Sequence, residues 1–545
     1  MGLHEPSDAR YSARLAFRRR SSVVERILGK AEVGSSILPG GTTFRGPARY
    51  PRAVACDEVA RTLLVIENDG AARVSALQLA LMAAPDRLDL LVALSAELAK
   101  LGRYQEAEAY GRRALAQQPT EPTAIRVIGG LLQLQGRHPE ALEIADRAIS
   151  IEPDCGEAWM ARADTLANTG QHAQAARAYA RAIPDPHCAF DAWLRMGKME
   201  RVLGRVDQAL SAFEAALRLR PSSPEARYER GLLRLELGEF AAGWPDYDSR
   251  WLSERFLVAR GQVPEALVPL LAKAPSAQDL AGKRILLIGD QGIGDQVMFA
   301  SIIPDLARLA ASVTCICDPR LLGLFSASFP DVSFLNPAGA RVDSETVDVL
   351  VAMGSLGAAF RQQATDFPGA AYLAPRPEVR AGWEERLGPP RRRLRVGLSW
   401  RGGTPQSGQA ARSMDLAELG PLLSIGDVEF VSLQYGDVAE EIAAATAGRP
   451  GVIRMFPASE ITDFEALAGL IGCLDLVVSV QNATVHLAGS LGRPCLAMVG
   501  FNPEWRYGRR KDSMPWYGSV RLVRQPAPND WPSVLAAVSA ALAEL

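Results

Sequence analysis

Cysteine pairs, histidines, long apolar runs and an excess of either charge are all scarce in this chain. None of its seven cysteines forms a Cys-x-x-Cys pair. Only Cys315 and Cys317 lie close together, in a strand-like run where both face one side. That spacing argues against a disulfide framework or a zinc site and for a reducing cytoplasm. No apolar stretch reaches the roughly 18 residues a bilayer span needs, so a soluble protein with no membrane span is expected. Lys and Arg number 60 against 62 Asp and Glu, a net charge of -2, which gives no global pull towards nucleic acid or another polyanion. Histidine occurs only at His4, His138, His172, His187 and His486. At 545 residues there is room for about two to four domains, each with its own core.

Residues 1–50 are rich in arginine and serine, poor in acids and without sustained periodicity. A transit peptide is one reading. The string Ser21-Ser22-Val23-Val24-Glu25-Arg26, followed by Leu28 to Leu38, resembles the conceptual translation of a bacterial tRNA gene. A start site placed too far upstream would produce it. The segment is expected to be disordered and without function.

Internal repetition starts next. Glycines recur at Gly102, Gly136, Gly170, Gly204 and Gly238, each 34 residues after the last. Alanines keep phase at Ala107, Ala141, Ala175 and Ala209, and again at Ala114, Ala148, Ala182 and Ala216. Large residues hold a third position at Ile125, Trp159 and Trp193, and prolines close units at Pro85, Pro119, Pro153 and Pro221. The pattern resembles the tetratricopeptide repeat, a helix-turn-helix unit whose small residues let paired helices approach closely. Stacked units make a superhelix with a groove for an extended peptide or a partner protein. Trp159 and Trp193 are expected in the core, and His138 and His172 on solvated turns. The array is expected over 54–252. Its last stretch, Gly238 to Trp251, carries two tryptophans and a tyrosine at helical spacing and is expected to cap the array and dock onto the next domain. Asp246 and Asp248 form an Asp-x-Asp pair, but positions i and i+2 of a helix point to different sides, so no metal is expected there.

After a linker at 253–279, short β-branched runs alternate with helical ones, the mark of parallel βαβ units. A first lobe at 280–375 has strands expected near 285–288, 313–317, 332–334 and 347–352. The Pro- and Arg-rich stretch at 376–394 reads as an interlobe linker. A second lobe at 395–545 has strands expected near 396–399, 430–434, 452–455, 476–480 and 495–499, then a closing helix from Asn529 or Asp530.

Ligands of such sheets bind at the carboxyl ends of the strands, and two turns stand there. The first, Gly289 to Val297, leads into an amphipathic helix over 297–309. Its Gly292 and Gly294 fit neither the dinucleotide fingerprint nor a lysine-bearing P-loop. Asp295 at its mouth either caps the helix or acts on a ligand. The second turn, Ser479 to Pro494, opens a helix of small residues. Amides of Ala483, Thr484 and Val485 at its N-terminus suit a diphosphate. His486, the one histidine after His187, lies in the first helical turn as a core residue or a ligand contact. Between them, Ser399-Trp400-Arg401-Gly402-Gly403 runs into an exposed loop ending at Ala411-Arg412-Ser413-Met414. Arg401 or Arg412 is placed either to neutralise a phosphate or simply to be solvated. Gln434 ends a strand at the same edge, within reach of a base or sugar.

From about 280 onwards these pieces together resemble the heptosyltransferase-like glycosyltransferases, which have the GT-B architecture. The matching residues are Gly292-Ile293-Gly294-Asp295, Ser399-Trp400-Arg401-Gly402, Arg412-Ser413, Ser432-Leu433-Gln434 and Val480 to Gly492. Pro503-Glu504-Trp505-Arg506, Met514-Pro515-Trp516-Tyr517 and Asn529-Asp530-Trp531 continue the match. A repeat array fused to such a domain is similar to the O-linked N-acetylglucosamine transferases and to repeat-containing flagellin glycosyltransferases. The resemblance implies an α-helical TPR superhelix followed by an α/β GT-B fold of two Rossmann-like lobes. The first lobe would present the acceptor and the second would hold a nucleotide sugar. Transfer would be inverting and metal-independent, with no cofactor beyond the nucleotide-sugar co-substrate. Asp295 would be the general base. Arg412, Gln434, Gln481, Asn482, Ala483, Thr484, Val485 and His486 would bind the donor, and Gly292, Gly294 and Gln296 would form the acceptor loop. A protein acceptor, flagellin being one example, would lie in the repeat groove. Gln481 stands where the family carries aspartate, which leaves the sugar undefined.

Two other readings stay open: a glycosyltransferase acting on a glycan or lipid, and a binding scaffold with a degenerate transferase domain. A cleft with Asp295 covered by another side chain and no open path to His486 would favour the scaffold. N-terminal sequencing of the native protein checks the expectation for residues 1–50: a first residue inside that segment would overturn it.

Overall fold

All five periodic glycines have a left-handed backbone, with φ from 71° to 83°. That conformation stops a helix and turns the chain, and it costs a residue with a Cβ far more than it costs glycine. The glycines separate helices that the computed structural model places at α1 (Gly70–Ala83), α2 (Leu88–Lys100), α3 (Tyr104–Gln117), α4 (Pro122–Leu134) and α5 (His138–Ile151). They continue as α6 (Gly156–Asn168), α7 (His172–Ala182), α8 (Ala189–Val202), α9 (Val206–Leu219), α10 (Pro224–Leu237) and α11 (Phe240–Tyr247). The structure describes residues 70–252, 270–271, 273–338, 342–403, 409–446, 451–509 and 511–544. The expectation for 1–50, the start of the array before 70 and most of the 253–279 linker lie outside the described residues.

The described residues form two compact units that divide between Arg147 and Ala148. In the first, Leu77, Leu91, Leu94, Leu98, Ile128 and Leu132 make the core between paired helices. In the second, α6 to α11 lead into the α/β region. The phased alanines of both are fully buried, which is why no larger side chain holds those positions. Trp159 is not in the core as expected. It is half-buried, because its indole N–H finds a partner at the turn, the Pro153 carbonyl 2.8 Å away. Arg162 and Arg181 lie 5.9 and 5.4 Å from its ring. Trp193 is also half-buried, against the cluster of Phe190, Leu194 and Phe213. His138 and His172 are the first residues of α5 and α7 and are half-buried.

The short helix α11 turns its aromatic face onto the α/β region. Trp244 donates its indole N–H to the Arg361 carbonyl at 2.7 Å, and its ring centroid lies 5.7 Å from Trp505 and 6.4 Å from Phe299. Phe240 packs at a tilt against Phe367, ring centroids 4.7 Å apart, and Trp516 meets both Phe367 and Phe299. One continuous core cluster therefore runs from the last repeat through both lobes. The expected pair Asp246 and Asp248 is taken up by arginines: Asp246 pairs with Arg230 and Arg234, and Asp248 with Arg250.

The first lobe is a four-stranded parallel sheet in the order β3-β2-β1-β4, with β1 at Arg284–Ile288, β2 at Ser312–Ile316, β3 at Ser333–Leu335 and β4 at Val349–Ala352. The second sheet runs β10-β11-β9-β8-β5-β6-β7. Its strands are β5 (Leu394–Ser399), β6 (Val428–Ser432), β7 (Ile453–Arg454), β8 (Leu476–Val480), β9 (Cys495–Val499), β10 (Ser513–Met514) and β11 (Tyr517–Arg524). All its pairings are parallel except the β10–β11 hairpin at the edge. A helical array followed by two Rossmann-like lobes is the architecture the resemblance implies.

Three local readings change. The helix expected at 297–309 starts at Ile293, passes through a 3-10 turn at Ala300–Ile302 and resumes at Ile303–Leu309, where Pro304 lies in the first turn. The stretch expected as a plain linker holds a helix, Pro377–Leu387, which starts on proline and buries Trp383 and Leu387. Strands β10 and β11 were not expected. In β11 a glycine, a serine and arginines interrupt the apolar residues, so this half-exposed strand leaves only a weak period-two signal.

The core predicts how two glycines differ. A Cβ on Gly357 would fall 2.5 Å from the Trp244 ring, whereas one on Gly382 meets nothing within 4 Å. Gly357→Ala is expected to destabilise by about 1–3 kcal/mol through overpacking. Gly382→Ala, in an exposed helix, is expected to stabilise by up to about 1 kcal/mol. Urea unfolding followed by tryptophan fluorescence separates the two.

Candidate active site

Strand order places the site. In open α/β sheets ligands sit where the order reverses, which is between β1 and β4 in the first lobe and between β5 and β8 in the second.

The first crevice is filled by the protein itself. Asp290, just after β1, accepts from the Gly354 N–H after β4 at 2.9 Å and from the Arg250 guanidinium at 2.9 Å. Arg250 comes from the end of the repeats and is completely buried. Burial works against its charge, but Asp290 and Asp248 outweigh that and hold its pKa above the ordinary value. Gln291, which has φ 67°, donates to the Tyr247 hydroxyl.

From there the chain enters α12 (Ile293–Phe299), whose third residue is Asp295. Oδ2 of Asp295 accepts from the Gly292 N–H at 3.3 Å, so the carboxylate does cap its own helix. Oδ1 accepts from Arg506 of the second lobe. Gly292 is exposed. Gly294, expected to clear room for an acceptor, is instead the contact between lobes: an added Cβ would lie 3.2 Å from His486 Cδ2 and 3.4 Å from Ala483 Cα. Gln296 is turned inward, away from any acceptor loop, and accepts from the Asp318 N–H at 2.9 Å to brace the end of β2.

Amide side chains tie together the loops at the second crevice. Gln434 Oε1 accepts from the N–H groups of Trp400 and Arg401 at 2.9 and 2.8 Å and from the Ser399 hydroxyl at 3.1 Å. Asn482 Nδ2 donates to Ser399 Oγ at 2.7 Å and to the Arg401 carbonyl at 3.0 Å. Its Oδ1 accepts from the Thr484 N–H at 2.9 Å, capping α13 (Ala483–Ser490). The Thr484 amide, expected to be free for phosphate, is thereby occupied. Gln481 is buried and accepts from the Gly500 N–H at 3.1 Å, which ties β8 to the end of β9. Val485 is wholly buried and Ala483 faces Gly294. These side chains build the loops around the crevice, because a buried amide keeps its hydrogen bonds in the protein when backbone groups lie within reach.

His486 is closed in. Its Nδ1 lies 3.2 Å from the Tyr517 hydroxyl and its Nε2 3.4 Å from the Tyr507 hydroxyl. Burial first, then the nearby Arg506 charge, push its pKa well below the usual histidine value, so the ring is neutral near pH 7. Arg412 is part-buried and pairs with Glu504, Glu504 pairs with Arg506, and Arg506 pairs with Asp295. The chain of alternating charge crosses from one lobe to the other. Arg401 stays outside it, paired with Glu441 at 2.8 Å. Glu504 and Arg506 were not expected in the site. They belong to a matched run, but nothing in local spacing links Arg506 to a carboxylate 211 residues away. The described residues contain no group of three or more metal-ligating side chains, and no described helix is long and apolar enough to cross a membrane.

Comparison with known proteins fits the helical part first. The family description tetratricopeptide repeat matches residues 127–187 and 194–256, so the helical hairpins in those two stretches are tetratricopeptide repeats. Protein FlbA of Caulobacter vibrioides is 32% identical over 364 residues, 62% of this chain, and the match covers 59% of the length of FlbA. Among solved structures, ADP-heptose lipopolysaccharide heptosyltransferase II of E. coli is similar at 16% identity and a TM-score of 0.36, covering 48% of this chain and 99% of that one. A tetratricopeptide-repeat protein of Thermus thermophilus is similar at 18% identity and a TM-score of 0.29, covering 34% of this chain and 99% of that one.

The buried neutral histidine carries a pH prediction. Its folded pKa lies below its unfolded value, so the unfolded chain binds the extra proton and stability falls as pH drops below the unfolded pKa. Between pH 7 and pH 5 the wild type is expected to lose about 1–2 kcal/mol more stability than His486→Asn. Denaturant melts at both pH values measure the difference.

Proposed function

We propose that the chain is an inverting glycosyltransferase that moves a sugar from a nucleotide-activated donor in the second lobe to a hydroxyl of an acceptor protein held by the repeats. One observation carries this reading: Asp295 of the first lobe meets Arg506 of the second at the carboxyl ends of both sheets. Asp295 serves as general base, taking the proton of the acceptor hydroxyl as that oxygen attacks the anomeric carbon and the nucleotide diphosphate leaves. A carboxylate offers about four lone-pair positions. Gly292 and Arg506 engage one oxygen each, so acceptor capacity remains for that proton. Arg412, Arg506 and the N-terminus of α13 supply positive potential for the leaving diphosphate, and the scheme needs no metal. Tetratricopeptide repeats suit an acceptor that is itself a protein, since their stacked helices form an extended groove. Flagellin is one acceptor of that kind.

A scaffold with an idle transferase domain is favoured by a different observation. The Asp295 side chain is 14% exposed and paired with Arg506, and His486 is buried, at 4% exposure.

Intact-mass measurement of acceptors from cells carrying wild type, Asp295→Asn or no enzyme decides between them. The transferase reading expects a sugar increment with wild type alone. Identical masses in all three, flagellin included, would reject it for the acceptors tested.

A further inference from the structure

Both loops that meet at Asp295 and Arg506 are gripped by the last repeats. On the first-lobe side, Tyr247 receives the Gln291 side-chain amide, four residues before Asp295. Arg250 holds Asp290 with Nη2 at 2.9 Å and Nε at 3.2 Å, and donates to Ser355 Oγ at 3.1 Å beyond β4. Gln291 adopts a left-handed backbone that a residue with a Cβ rarely keeps unless its surroundings hold it.

On the second-lobe side, the buried Glu236 accepts from Arg201 of the preceding repeat at 3.0 Å and from Arg509 at 2.7 Å. Arg509 also donates to the Arg201 carbonyl at 3.3 Å, and Asn502 Nδ2 donates to the Val202 carbonyl at 2.6 Å. Asn502 and Arg509 flank Glu504 and Arg506 on one loop. Trp505, between those two, packs its ring 5.7 Å from Trp244 and 5.6 Å from Tyr247.

We propose that the end of the repeat array is a working part of the candidate active site, with Glu236, Tyr247 and Arg250 as positioning residues for Asp295 and Arg506. The proposal rests on the reading of Asp295 as the base, but its physical content stands apart from it. Two loops from two lobes meet through one ion pair, and neither lobe holds its own loop alone. The repeats supply the shared frame, so a partner bound to α8 or α10 acts on the same side chains that hold Arg506.

Hydrogen–deuterium exchange on the full chain tests this with Tyr247→Phe and Glu236→Gln, alongside acceptor mass in cells. Tyr247→Phe is expected to speed exchange about fivefold across residues 289–297, and Glu236→Gln across 501–509, the scale of one lost hydrogen bond. The acceptor increment that depends on Asp295 is expected to fall as well, at an unchanged melting temperature for Tyr247→Phe. Unchanged exchange in both segments would overturn the proposal. So would a rise spread evenly over the chain, or loosened loops with full acceptor modification. If Glu236→Gln does not fold, Tyr247→Phe decides alone. If Asp295→Asn leaves acceptor mass unaltered, the transferase reading fails and the exchange data alone decide the positioning.

Discussion

A single guanidinium, that of Arg506, sits between the two lobes with its charge almost wholly out of water. An isolated buried charge costs several kcal/mol, so such a group persists only when partners satisfy it. Here Asp295 and Glu504 flank it, and Arg412 lies beyond Glu504, so four charges alternate in sign and sum to zero. Burial alone would lower the Arg506 pKa, but the nearby Asp295 and the tyrosine oxygens of Tyr507 and Tyr247 more than offset it, and the pKa is raised. The four side chains come from three loops, Glu504 and Arg506 sharing one. The lobes can therefore keep this contact only while those loops are held in register, and much of the surrounding structure serves that constraint. Gly294 lets α12 reach α13 without a side chain between them. The neutral His486 packs beside the pair and adds no second positive charge to it.

Holding the loops falls largely to residues outside the α/β lobes. The aromatic face of α11 joins Trp244 and Tyr247 to Phe299, Trp505 and Trp516 in one cluster, where edge-to-face rings add to simple area burial. Beside it, Arg250 enters the crevice where a Rossmann-like sheet would bind a nucleotide. Repeats that in many proteins serve only as a recruiting surface are here continuous with the core of the α/β region.

The amide side chains at the second crevice show how position and role separate. Gln434 and Asn482 lie at the strand ends where a ligand contact was expected, yet each spends its hydrogen bonds on neighbouring loops. Arg412 and Arg506, which lie nearby, are likewise engaged within the protein, by Glu504 and Asp295.

Much of the fold was legible in the sequence because it rests on local chemistry. A glycine every 34 residues marks left-handed helix ends, phased alanines mark helix contacts, and β-branched runs between helical stretches mark parallel strands. Two strands, β8 and β9, fall where their largely apolar runs put them. The strand β11 and the helix at Pro377–Leu387 escaped, since a half-exposed element carries a diluted period. In the candidate site, Asp295 was legible from its place after a buried strand and a glycine turn. Arg506, Glu504 and Arg250 were not. Their roles come from pairing partners 40 to 211 residues distant, and periodicity says nothing about which surface charge a fold will bury. The sequence by itself determined which segments become repeats, strands and turns. Only the tertiary structure decided which polar side chains face a ligand and which hold the loops, because that depends on where backbone groups left over from the strand ends come to lie.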